Sequence, residues 1–249
     1  MTSPRASFDR FARDFMLALR RFTRFRPRVP DDAGASPDGD AVLAHVPGVG
    51  WLVGMAACLV FALVSVLLRG NPWSPAVAAV FSTLATVLLT GALHEGALFR
   101  TADRLETVPD APSGSALGVI ASLLLIAGKL ALLAAVAAAS ELAVMTALLA
   151  AHVTSRYLPL VVAHRLAPGA LEQRALGLSA LWCLVPVLLM VAASGPAFAG
   201  MALLASLLAG FVMLHILRRR GSGFDDGVLG AVQQVCEVAF YLGAAFAAG

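Results

Sequence analysis

Residues 46–68 read VPGVGWLVGMAACLVFALVSVLL, 23 positions without a single charge. At ~1.5 Å of rise per residue, a helix of that length crosses the ~30 Å hydrocarbon core of a bilayer. The pattern recurs on either side. After the turn Arg69-Gly-Asn-Pro-Trp-Ser74, an uncharged run from Pro75 to Leu93 is long enough to cross back, and polarity returns at His94. Residues 115–138 make a third span interrupted only by Lys129, and 141–155 a fourth between Glu141 and Arg156. The uncharged stretch from Ala175 to Leu217 exceeds one crossing and divides at Ser194-Gly195-Pro196 into two spans. Residues 228–248 supply the last, for a count of seven.

Composition agrees with a membrane protein. Of the 249 residues, 59% are apolar and 13% charged, and the mean hydropathy is +0.85, more apolar surface than a soluble domain of this size buries. The expected fold is an all-α polytopic bundle of six to seven spans, with residues 41–249 as one transmembrane domain. Residues 1–40 precede it as a basic amphipathic segment and loop. Phe8, Phe11, Phe15, Leu19 and Phe22 recur at spacings of three and four, interleaved with arginines, so this segment reads as a helix on the membrane surface and not as a cleavable signal.

The formal net charge is only +3, and 8 of the 18 basic residues precede residue 29, which is a topology signal and not a nucleic-acid patch. An N-terminus in the cytoplasm places the loops at 94–114, 156–174 and 218–227 on the same side. That arrangement gathers 16 of the 18 basic residues inside, with Arg69 outside and Lys129 within a span. Cys58, Cys183 and Cys236 stand alone in apolar runs, without the spacing of a disulfide framework or a zinc site.

Chemistry is therefore expected at that inner face. Beyond residue 40 the acids are Glu95, Asp103, Glu106, Asp110, Glu141, Glu172, Asp225, Asp226 and Glu237, and only Glu141 falls on the other side. Carboxylates gathered at one face suit Mg²⁺-dependent phosphoryl transfer, since hard oxygen ligands hold the ion; they equally suit solvated charge at helix ends. His94 suits a phosphate-orienting group or a general acid, and His152 with Arg156, one turn apart, suits a phosphate. Lys129, the one basic residue inside a span, has a plain reading as a snorkelling side chain or a partner for Glu141.

The run Thr90-Gly-Ala-Leu-His94-Glu-Gly-Ala-Leu-Phe-Arg-Thr-Ala-Asp103 resembles the hallmark segment T-G-A-x-H-x-D-G-L-A-D-T-A-D-G of the bacterial cobalamin synthase family, adenosylcobinamide-GDP ribazoletransferase. Phe22-Thr23-Arg24 is similar to its N-terminal F-L-T-R, and Val46-Pro47-Gly-Val-Gly50-Trp-Leu-Val-Gly54 to its F-P-L-V-G-x-x-x-G. Lys129, Ser155-Arg156 and Phe224-Asp-Asp-Gly-Val-Leu-Gly230-Ala231, followed by Glu237, resemble later landmarks in the same order. The resemblance implies a multi-pass inner-membrane enzyme in which a hydroxyl of α-ribazole, or of its 5′-phosphate, attacks the pyrophosphate of adenosylcobinamide-GDP and releases GMP, with Mg²⁺ as cofactor. It implies catalytic roles for His94 and Asp103, substrate binding by Arg156 and Lys129, and metal binding by Glu95, Asp103, Asp110 and Asp226.

The chain also departs from the family pattern. Acids at i, i+4 and i+7 of the hallmark segment, which share one helical stripe, are here Gly96, Arg100 and Asp103. In the next segment Pro109 and Pro112 replace a lysine and an arginine around Asp110. Two readings follow, a divergent synthase with a rebuilt site or a family member without transfer activity that serves as a binding partner in corrinoid assembly. A small permease is a third, resting on Lys129. The expected partners are the two substrates and the lipid bilayer, together with other corrinoid-assembly enzymes or a second copy of the chain.

Overall fold

The computed structural model describes residues 4–29, 39–105, 116–169, 171–221, 223 and 225–249. Among these residues there are ten α-helices and no strand: α1 (Pro4–Phe22), α2 (Gly39–Ala44), α3 (Val46–Leu67), α4 (Ser74–Thr90), α5 (Leu93–Leu105), α6 (Ala116–Ala139), α7 (Glu141–Leu166), α8 (Gln173–Ser194), α9 (Pro196–Arg219) and α10 (Asp226–Ala248). Six spans qualify by length and apolarity to cross a membrane, α2 with α3 counting as one. A seventh is formed if α4 and α5, which meet at an 86° bend, are taken together. The chain is a multi-pass membrane protein.

Local sequence accounts for the breaks. Pro47, Pro75 and Pro196 sit in the first turns of α3, α4 and α9, where a missing N–H costs nothing. The hairpin at Ser194-Gly195-Pro196 forms as expected, with Gly195 at φ 87° between α8 and α9. At the α4–α5 corner Gly91 takes φ 69°, a left-handed cap that glycine adopts without strain. The chain then turns sharply and continues as helix to Leu105, so the first part of the expected 94–114 loop is in fact helical.

The span expected at 141–155 is longer than its charge pattern implies. α7 runs on to Leu166, with Arg156 inside it and the helix-interior Pro159 a turn further on. The physical reason is position. In α7 and α10, 72% of the most apolar window is buried within the protein, against 17–33% for the other four spans. These two helices form the centre; α10 packs on α5, α6, α7 and α9, and α7 on α3, α8 and α10. Helices shielded from lipid tolerate polar side chains that would end a lipid-facing span. The outer helices α8 and α9 instead turn Leu184, Leu188, Leu207 and Phe211 outward.

α5 lies across one end of the bundle and buries His94, Ala97, Leu98 and Thr101, positions i, i+3, i+4 and i+7 of one stripe. It approaches α10 at Gly230, where a Cβ would stand 2.5 Å from the Ala97 Cβ. Gly230→Leu should therefore force the helices apart at an overpacking cost of about 1–3 kcal/mol. The readout is a lower thermal unfolding midpoint in detergent. Gly128→Leu, at a position with open space around it, should leave the midpoint unchanged or raise it.

α1 packs on the same end of the bundle. Its Ala18, Leu19 and Phe22 are buried in one cluster with Val42, Val49 and Leu160, and Phe15 stacks on Trp182 at 5.7 Å between centroids. The segment beyond α1 is pinned by Arg24 N–H donating to the Leu89 carbonyl at 2.8 Å, beside the α4–α5 corner. Phe8 stays 70% exposed, leaving an apolar contact for a membrane surface.

Candidate functional site

Seven polar side chains from α5, α6, α7 and α10 are buried together, none more than 4% exposed: His94, Lys129, His152, Arg156, Gln233, Gln234 and Glu237. Helical spacing assembles them, since His152 and Arg156, like Gln233 and Glu237, are one turn apart on the two central helices. Burying such groups in a bilayer is unfavourable unless they pair. Glu237 is the hub. Its Oε1 accepts from Lys129 Nζ at 2.6 Å and from the Tyr241 hydroxyl at 3.4 Å, and lies 3.4 Å from His152 Nδ1. Arg156 Nη1 donates to the His152 carbonyl at 2.6 Å, and Gln234 Nε2 donates to Glu95 Oε1 at 2.9 Å.

Pairing is incomplete in one respect. His94 Nε2, Glu95 Oε2, His152 Nε2, Arg156 Nε and Gln233 Nε2 are buried without a hydrogen-bond partner among the described residues. Each such atom costs about 1–3 kcal/mol, so five in one place mark a site held ready for something else. An open cavity of about 540 Å³ reaches this region from the α1 end, lined by Arg21, His94, Arg100, Arg156, Asp226 and Gln233 with Phe22, Leu160 and Leu229 as apolar wall. A smaller polar pocket of about 190 Å³ shares His94, Arg156 and Gln233 with it and adds Glu95, Lys129, His152 and Glu237.

The residues singled out in the sequence are divided by this geometry. His94 and Arg156 line the cavity. Lys129 reaches the polar pocket, but its ammonium is held by Glu237 and not by Glu141. Glu95 is engaged by Gln234. Asp103 lies at the far end of α5, about 13 Å along the axis from His94; its Oδ1 accepts from the Gly118 N–H at 3.1 Å and ties α5 to α6. Asp226 is exposed and takes Arg21 Nη2 at 2.7 and 2.9 Å. Its neighbour Asp225 caps α10 through the Val228 N–H at 2.7 Å and pairs with Arg104 at 2.5 Å. Partial burial pushes the Asp225 carboxyl up, but the Arg104 and Val228 hydrogen bonds outweigh it and hold the group below its ordinary range. Asp110 and Glu106 lie outside the described residues.

Among the described residues, which do not include Asp110, these positions do not fit the magnesium ion that the resemblance implies. Among the described residues no three His, Cys, Asp or Glu side chains converge on a common point. Glu95, Asp103, Asp225 and Asp226 each have a different partner, and Arg100 and Arg156 stand where a cation would be repelled.

Sequence reasoning passed over Gln233, Gln234 and Arg21, met Arg100 only as a departure from the family's acidic pattern, and placed no role on Glu237. The signal for three of them was present, since two glutamines and a glutamate interrupt an otherwise apolar span. Arg21 and Arg100 carry no such signal, because arginine at a membrane face is ordinary.

Comparison with known proteins adds an independent line. A profile of the family described as cobalamin-5-phosphate synthase matches residues 14–245. An adenosylcobinamide-GDP ribazoletransferase of Polaromonas sp. (strain JS666) is 38% identical, over 95% of this chain and 98% of its own length. A protein of the same name from Polaromonas naphthalenivorans is also 38% identical, over 94% and 98%, and one from Albidiferax ferrireducens 34%, over 95% and 99%. No solved structure matches. With a family match that spans the helical bundle and relatives aligned nearly end to end, the chain belongs to the cobalamin-5-phosphate synthase family.

Proposed function

We propose that the chain joins α-ribazole or its 5′-phosphate to adenosylcobinamide-GDP, releasing GMP and forming adenosylcobalamin or its 5′-phosphate. A hydroxyl oxygen of the ribazole attacks the phosphorus on the cobinamide side, the phosphoanhydride bond breaks, and GMP leaves with the bridging oxygen. The observation that carries this reading is the cavity itself, which presents unpartnered guanidinium and imidazole nitrogens beneath an apolar wall. Transfer of this kind depends on positioning and charge neutralisation more than on covalent chemistry.

In this reading Arg156 binds the phosphates and His94 Nε2 takes the proton from the attacking hydroxyl. Lys129 holds Glu237, which in turn sets His152 beside Arg156. Asp103 fixes α5 on α6 and so fixes the height of His94. The cavity opens toward the cytoplasm of an inner-membrane protein, on the side where α1 and most arginines lie.

The deciding experiment is GMP release by detergent-purified protein given adenosylcobinamide-GDP, α-ribazole 5′-phosphate and Mg²⁺. Wild-type protein should release GMP, and His94→Ala should lower the rate by about 10²-fold or more, the usual contribution of general base catalysis. Folded wild-type protein that releases none, beside an active relative, would overturn the reading.

A further inference from the structure

Arg100 is exposed on the cavity wall and has no hydrogen bond or ion pair among the described residues. Its side chain follows the helical preference and lies back toward the N-terminus of α5, where Nη1 comes within 3.4 Å of the place a Gly96 Cβ would occupy. The missing side chain at 96 thus leaves the Arg100 guanidinium free at the rim of the cavity that His94 also lines. Deeper in the same cavity, Arg156 Nε and His94 Nε2 are buried and unpartnered. Asp226, the one acid on the wall among the described residues, is engaged by Arg21.

We propose that this cavity is a diphosphate site in which Arg100 and Arg156 meet the phosphoanhydride oxygens directly, in place of a carboxylate-held metal ion. The identity of the diphosphate as adenosylcobinamide-GDP rests on the function proposed above, whereas the site's chemistry does not. A guanidinium presents forked donors that match two phosphate oxygens at once, and it keeps its charge when desolvated. Arg156 supplies such a group from the floor and Arg100 from the wall. Two arginines and a neutral imidazole offset the charge of a diphosphate, and the apolar wall formed by Phe22 and Leu160 lowers the local dielectric in which they act.

The test is binding of inorganic pyrophosphate to full-length protein in detergent, measured calorimetrically in EDTA and again with Mg²⁺. Wild-type protein should bind in EDTA. Arg100→Ala should weaken that binding about tenfold or more, as expected for one charge-assisted contact. Gly96→Asp should weaken it as well, because a carboxylate four residues before Arg100 would pair with it and draw it from the cavity. Arg69→Ala, at the exposed α3–α4 turn and away from the cavity, should bind as wild type does. Binding that requires Mg²⁺, no binding in either condition, or wild-type affinity in Arg100→Ala overturns the proposal. GMP release is read separately, so Arg100-dependent pyrophosphate binding without GMP release would count against the proposed reaction and leave the diphosphate site standing.

Discussion

Glu237→Gln is expected to lower the unfolding midpoint of the purified protein by roughly 6–20 °C. The figure follows from a cost of about 3–5 kcal/mol for removing one partner of a buried ion pair, at about 2–4 °C per kcal/mol for a chain of this size. Glu237 is 1% exposed and receives Lys129 Nζ, the Tyr241 hydroxyl and the approach of His152 on one oxygen. An amide keeps the shape but leaves the Lys129 ammonium, 4% exposed, buried without its counter-charge. Removing both charges together is a different matter, because the desolvation of both ions is then avoided. The double variant Lys129→Met, Glu237→Leu should recover most of the lost midpoint while GMP release stays absent, since His152 and Arg156 lose the group that orders them. A Glu237→Gln midpoint equal to wild type would show that the pair contributes nothing to the bundle.

That experiment also separates what the sequence makes legible from what it hides. Uncharged runs locate the spans because lipid exposure penalises charge, and the break at Gly195 follows from backbone chemistry that a sequence displays directly, whereas the uncharged run passes through Gly91 and hides the corner there. The same logic misplaces the end of α7. Arg156 reads as a boundary only if the helix faces lipid, and α7 does not; which helices sit at the centre is a property of packing, invisible until the others are arranged around them. The site suffers from the same blindness. His94 and Arg156 stand out by type and spacing, whereas Glu237 gains its meaning from Lys129, 108 residues earlier, through a contact no local pattern encodes. The carboxylates mislead in the opposite direction. Asp103, Asp225 and Asp226 share one end of the protein, yet each is drawn to a backbone amide or an arginine, and a shared face did not make them converge.

Arg156→Lys is expected to lower kcat/KM for GMP release by roughly 10- to 150-fold, the equivalent of the 1.5–3 kcal/mol that a hydrogen bond to a charged group contributes. The fold should survive, because lysine keeps the positive charge within the central network and the helix-forming character of the position. What it loses is the fork. Arg156 anchors Nη1 on the His152 carbonyl at 2.6 Å while Nε remains without a partner, so one rigid group is held by the protein at one edge and offered to a ligand at another. An ammonium is a point charge on a flexible stem; donating to the same carbonyl, it has no second edge to present. Pro159 adds to the arrangement, since it has no N–H for the Ser155 carbonyl and leaves that turn of α7 open beside the cavity. The loss should appear mainly in kcat if the arginine meets charge that develops in the transition state, and mainly in KM if it only holds the ground-state diphosphate. Pyrophosphate binding by the same variant discriminates the two, because a ground-state role predicts a matching loss of affinity in EDTA. An Arg156→Lys protein with wild-type kcat/KM would remove Arg156 from the site altogether and leave His94 and Arg100 as the groups that meet the substrate.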